Sequence, residues 1–148
     1  MEISEILSRD RVKTNVQINS KKAALEALAG LIASADPEVT RAEVFESLLA
    51  REKLGSTGLG HGIALPHGRR KGGTKTTGAF MRLQAGVQYD SMDQKPVDLF
   101  FALLVPEEST EEHLNILSKL AKMFSNTELV NNIRTCETAE SLYNILAG

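Results

Sequence analysis

A single cysteine, Cys136, stands among 148 residues. No internal disulfide can form, and no cysteine-based zinc site can be assembled. Tryptophan is absent and aromatic residues make up only 5%, too few to furnish a stacking platform for sugars or bases. Neither sign of charge dominates: the formal net charge is −2 and the pI is near 5.9, without the basic excess of a nucleic-acid binder. No apolar run is long enough to span a bilayer, and the start "MEISEILSRDRVK" is acidic early and has no signal-peptide core. Repeats, low-complexity tracts and Pro/Ser linkers are missing too. What is expected is one cytoplasmic domain over residues 1–148, 42% hydrophobic and long enough to bury a real core.

The apolar pattern supplies the elements. In "SKKAALEALAGLIAS" (20–34), Ala24, Leu25, Leu28, Leu31 and Ile32 fall on one helical face, with Ser20 as cap. Asp36–Val39 reads as a turn. Thr40 followed three residues later by Glu43 is a capping-box pattern. It opens a helix with Val44, Phe45, Leu48 and Leu49 inward, ending near Lys53. In "TTGAFMRLQ", Ala79, Met81 and Leu83 alternate as in a half-buried strand, whereas the unbroken run Leu99–Val105 predicts a strand covered on both faces. The last third reads as three helices, the first opened by Ser109 with Glu112 and the last by Thr138. The expected fold is an α/β sandwich, a mixed β-sheet with helices on both sides and not a purely parallel one.

Chemistry concentrates in "GSTGLGHGIALPHGRR" (55–70). His67 is pinned by Pro66 before it and given a close backbone approach by Gly68 after it, at a sheet edge where α/β folds tend to place ligands. Three uses are open to such a ring. Metal binding is poorly served, because the His61–His67 spacing is not helical and no cysteine assists. General acid–base work needs a cleft that the sequence does not signal. Nucleophilic uptake of a phosphoryl group needs a neutral ring nitrogen, a partner for the other nitrogen and donors for the phosphoryl oxygens. Candidate donors are Arg51, with its planar fork, the hydroxyls of Ser56 and Thr57, and bare backbone at Gly58, Gly60, Gly62 and Gly68. A tight turn between helix and strand explains those glycines equally well. His113 falls in the first turn of the helix begun at Ser109, where free N–H groups favour an anion; the neighbouring Glu107, Glu108, Glu111 and Glu112 suit a helix start or a basic partner.

The segments "LLAREKLGSTGLGHGIALPHG", "PVDLFFALLVP" and "HLNILSKLA" closely resemble the enzyme IIA proteins of the bacterial phosphoenolpyruvate:sugar phosphotransferase system. The likeness is to the mannitol/fructose type and most to its nitrogen-regulatory branch, and it covers essentially the whole chain. It implies phosphoryl uptake on His67 from an HPr-like phosphocarrier, a second active-centre histidine at His113 and a phosphate-supporting arginine at Arg51, with no cofactor and no metal. It further implies regulatory partners such as potassium-transport proteins and sensor kinases, or else a IIB component if the chain serves a sugar. His61 is expected at the rim of the site, and Arg69, Arg70 and Lys71 as a solvated charge run. A binding module acting through protein contacts alone and a metal-dependent hydrolase are the competing expectations.

Overall fold

The computed structural model describes residues 1–148. A short helix α1 (Ile3–Ile6) and a 3₁₀ turn (Arg9–Arg11) lead into β1 (Val12–Val16), α2 (Lys21–Ala33) and α3 (Arg41–Lys53). The strands β2 (Gly58–Gly60), β3 (Ile63–Ala64), β4 (His67–Arg70), β5 (Thr77–Val87) and β6 (Val97–Pro106) follow. The helices α4 (Thr110–Phe124), α5 (Thr127–Thr135) and α6 (Ala139–Ala147) close the chain.

The helix starts are chemically explicit. Ser20 Oγ accepts the Ala23 N–H at 3.1 Å, and Thr40 and Glu43 form both bonds of the capping box, at 3.1 and 3.0 Å. Asn126 and Thr138 cap α5 and α6 in the same way. Ser109 is the N-cap residue of α4 as expected, and its carbonyl accepts the His113 N–H at 3.0 Å, but its side chain makes no capping bond and its backbone is irregular.

The six strands form one mixed sheet in the order β1-β5-β6-β3-β2, with β4 continuing along β6 where β3 stops. β5 and β6 are antiparallel, while β3 and β4 both run parallel to β6. Central position explains the unbroken apolar run of β6. Leu99, Phe101, Leu103 and Val105 point into a core shared with α1, α4, α5 and α6, whereas Phe100, Ala102 and Leu104 point into a second core under α2 and α3. Each buried Leu or Phe contributes roughly 1.5–3 kcal/mol by leaving water, so a strand buried on both faces anchors both layers. Leu31, Phe45 and Leu49 stay partly exposed at the margin of the second core.

The sequence reading misses β1. Its five residues are interrupted by Asn15 in a left-handed conformation (φ 57°), and its parallel partner β5 lies far along the chain. The charge run is also corrected. Arg69 and Arg70 extend β4, and Arg70 folds inward to pair with Asp36 and, at 3.8 Å, with Glu38, leaving Arg69 and Lys71 as the exposed members.

Candidate active site

β4 is reached by a kink at Leu65–Pro66. The Leu65 N–H donates to the Thr57 carbonyl at 3.1 Å, and the Pro66 carbonyl accepts the Leu103 N–H at 2.9 Å. Proline suits this position because the kink requires an acceptor there and no donor. His67 then enters the sheet opposite Leu103. Gly68 is where β4 passes α3: a Cβ there would lie 2.2 Å from Ser47 Oγ and 2.9 Å from the Ser47 backbone carbon. The glycine serves close packing, which brings His67 against the helix that carries Arg51.

The His67 ring is half-buried, and its Nδ1 lies 2.8 Å from the Leu65 carbonyl. A carbonyl can only accept, so Nδ1 carries the proton and Nε2 keeps its lone pair. Burial lowers the His67 pKa, opposed by the Leu65 bond and by Glu52 and reinforced by Arg51 and Arg69. His113 in the first turn of α4 meets His67 edge to face, ring centroids 5.2 Å apart at 69°. It is buried, both ring nitrogens lack partners, and burial followed by His67, Arg69 and Arg51 pushes its pKa down to about 4. Two neutral imidazoles therefore stand side by side at neutral pH. One is locked as a single tautomer, and the other has unspent hydrogen-bonding capacity.

Both rings and Arg51 line one cleft of about 1020 Å³ between α3, β4 and the start of α4. Arg51 lies in the last turn of α3 and donates from Nη1 to the Gly55 carbonyl at 2.8 Å, which leaves other N–H groups of its fork free. Arg69 and Lys71 add positive charge at the mouth, and Leu54 and Leu114 add exposed apolar surface. The chemistry this arrangement suits is capture of a tetrahedral anion beside a ring nitrogen with a free lone pair.

Ser56 and Thr57 are placed differently from expectation. Neither lines the cleft. Ser56 Oγ accepts the Gly58 N–H at 3.1 Å, and buried Thr57 spends its hydroxyl on Glu52 and Tyr89. His61 is not at the rim either. It is exposed, left-handed (φ 57°), and tied through its N–H to Asp93 and through its carbonyl to Arg134. The next residue, Gly62, accepts from Asp98 and Leu99 at the beginning of β6, five residues before the partner of His67. At the rise of a strand this is roughly 16 Å away. The sequence supplied no way to see this, because the turn at 60–62 doubles the chain back. No three His, Cys, Asp or Glu side chains converge into a metal-holding group, and no helix is long and apolar enough to cross a membrane.

Two participants escaped the sequence reading. The Leu65 carbonyl is a main-chain group and leaves no trace in residue identity. Glu52 does leave one: with Val44 and Leu48 it occupies a single i, i+4, i+8 row of α3, an acid on an apolar stripe, and all three are buried.

A mixed sheet between two helical layers carries paired histidines and an arginine in an edge cleft, the architecture of a phosphotransferase-system IIA domain. Residues 5–148 match the family described as "Phosphoenolpyruvate-dependent sugar phosphotransferase system, EIIA 2", and the chain belongs to that family, in its nitrogen-regulatory branch. It is 46% identical over 144 residues to a nitrogen regulatory protein of Pseudomonas aeruginosa, spanning 97% of this chain and 94% of the relative. It is 41% identical over 150 residues to one of Escherichia coli, spanning 99% and 90%. The crystal structure of nitrogen regulatory protein IIA-Ntr from Neisseria meningitidis superimposes with a TM-score of 0.93 at 46% identity, covering 97% of this chain and 98% of that one. The mannitol IIA of Escherichia coli shares the fold, with a TM-score of 0.77 at 20% identity over 95% and 99% of the two chains.

Proposed function

We propose that the chain is a phosphohistidine carrier that accepts its phosphoryl group on His67 Nε2 from an HPr-like phosphocarrier. In this reading its phosphorylation state then tunes partner proteins of nitrogen and potassium metabolism in the cytoplasm. The observation that carries the proposal is the Nδ1–Leu65 bond at 2.8 Å, which leaves Nε2 unprotonated beside the unpartnered ring of His113. In the transfer, the Nε2 lone pair forms the new N–P bond as the donor's P–N bond breaks, its electron pair returning to the donor ring. No proton has to leave His67. Nδ1–H stays on the Leu65 carbonyl, whose dipole stabilises the positive charge the ring acquires. Arg51 balances charge on the phosphoryl oxygens, and His113 donates from one ring nitrogen to an oxygen of the same group, finding the partner it otherwise lacks.

The test is incubation with phosphoenolpyruvate, enzyme I and an HPr-type protein, followed by intact mass measurement. One phosphoryl group, stable to alkali and labile to acid, is expected on the wild type and absent from His67→Ala. Retention of that group by His67→Ala overturns the assignment. Binding of regulatory partners that differs between the phosphorylated and free forms is the expected second result; partner binding identical in wild type and His67→Ala would instead favour a module acting by contact alone.

A further inference from the structure

Beneath the loop that joins α3 to β2 lies a buried carboxylate outside the cleft, Glu52, whose side chain is 2% exposed. It accepts the Thr57 N–H at 3.0 and 3.2 Å, the Thr57 hydroxyl, and the Tyr89 hydroxyl at 3.0 Å, and it pairs with Lys21 Nζ at 3.0 Å. Lys21 in turn donates to the Tyr89 carbonyl at 3.1 Å and lies over the Tyr89 ring. Every polar group there has a partner, so the arrangement is rigid and specific. Its position matters because Thr57 does not end the path. The Thr57 carbonyl accepts the Leu65 N–H at 3.1 Å, and the Leu65 carbonyl accepts the His67 Nδ1–H at 2.8 Å.

We infer that Glu52 is a positioning residue for His67: by fixing Thr57 it fixes Leu65, and through the Leu65 carbonyl it holds the imidazole in the tautomer that leaves Nε2 free to take the phosphoryl group. The inference rests on the carrier reading of His67. Main-chain groups make the last two links, so the control reaches the ring with no side chain of the cleft involved. The same carboxylate follows Arg51, whose guanidinium holds Gly55 in the same loop. The loop is therefore clasped by two consecutive residues of α3, one facing the cleft and one facing the interior. This gives Thr57 a role unlike the hydrogen-bond donor to the phosphoryl oxygens expected from sequence: its hydroxyl and N–H are committed inward to Glu52, and its carbonyl accepts from the residue that supports the His67 ring.

Glu52→Gln is the variant that separates this role from bulk. The amide has the same shape, but it presents N–H where the carboxylate accepted from Thr57 or met the Lys21 ammonium. Long-range ¹H–¹⁵N correlation spectra of the imidazoles, recorded without any phosphoryl donor, are expected to show one Nδ1–H tautomer for His67 in the wild type and a mixture in Glu52→Gln. Amide exchange at Leu65 is expected to quicken more than at core residues of β6. The rate of phosphoryl uptake is expected to fall by roughly ten- to a hundredfold, the cost of loosening a group that orients a working side chain. A purely structural role for Glu52 would speed exchange throughout and leave the tautomer of the folded protein unchanged; that outcome overturns the inference. Should Glu52→Gln not fold, Thr57→Val, which removes one of the four donors to Glu52 and keeps the backbone, is judged by the same spectra. An unchanged tautomer and rate there overturn the inference equally. Wild type that takes no phosphoryl group on His67 sinks the carrier reading alone, since the tautomer is measured independently of transfer.

Discussion

The rings of His67 and His113 meet edge to face at 5.2 Å, yet they differ in hydrogen bonding. One has its Nδ1 committed to a carbonyl, and the other has no hydrogen-bond partner at either nitrogen. An unpartnered buried imidazole costs stability, and its persistence next to a nucleophilic ring is what a phosphoryl acceptor site would require of a second donor.

The titration of His113 tests this directly. Its pKa is pushed down to about 4 in the folded protein, against 6.5 ordinarily. Between these values the unfolded chain holds a proton that the folded chain does not, so stability rises with pH across that window and is lost as pH falls from 6.5 towards 4. Urea unfolding at pH 7.5 and pH 5 is expected to differ by about 2 kcal/mol more in wild type than in His113→Gln. A His113 midpoint above pH 6 in an NMR titration would contradict the arrangement.

Arg51 is expected to matter for transfer and hardly at all for folding. Its guanidinium has one intramolecular bond, to an exposed loop carbonyl, and so little holds the fold through it. Arg51→Ala should slow single-turnover phosphoryl uptake by about a hundredfold or more, the cost of losing one preorganised donor to a developing charge, with an unchanged urea midpoint. Arg51→Lys should recover only part of the rate, because a point charge replaces a planar fork. Equal losses of rate and stability would refute the separation.

Gly68 is expected to be intolerant of the smallest side chain. Alanine would place its Cβ against Ser47, and the strain should cost about 1–3 kcal/mol in chemical denaturation. Adding Ser47→Ala should recover only part, because the Ser47 backbone carbon remains 2.9 Å from the new methyl. Full recovery would mean that the hydroxyl alone sets the limit.

Helix starts that look alike in sequence should behave differently. Thr40→Ala removes a formed capping bond and should cost about 1 kcal/mol, while Ser109→Ala removes none and should change stability by no more than a few tenths. Thermal or urea unfolding of the two variants decides it.

Much of the architecture is legible in the sequence alone, because the signals are local. Capping residues, helical periodicity and the run Leu99–Val105 each describe a few neighbouring residues, and each forms the expected element. Of the residues singled out for chemistry, Arg51, His67 and His113 were named together by the resemblance across "REKL", "ALPHG" and "HLNIL" and share one cleft, whereas Ser56 and Thr57 do not line it. What no local pattern carries is where the chain returns. The turn at 60–62 sends His61 to the far end of β6, the Glu52 carboxylate that draws Thr57 inward also takes the hydroxyl of Tyr89, more than thirty residues on, and Arg70 leaves an apparent surface run to reach Asp36. The sequence by itself determined the longer helices, the two long central strands and the chemical identity of the candidates, but not β1. Tertiary structure alone decided which of them face the cleft, which nitrogen of His67 is free and that Glu52 stands behind it, because those outcomes rest on hydrogen bonds between residues that only folding makes neighbours.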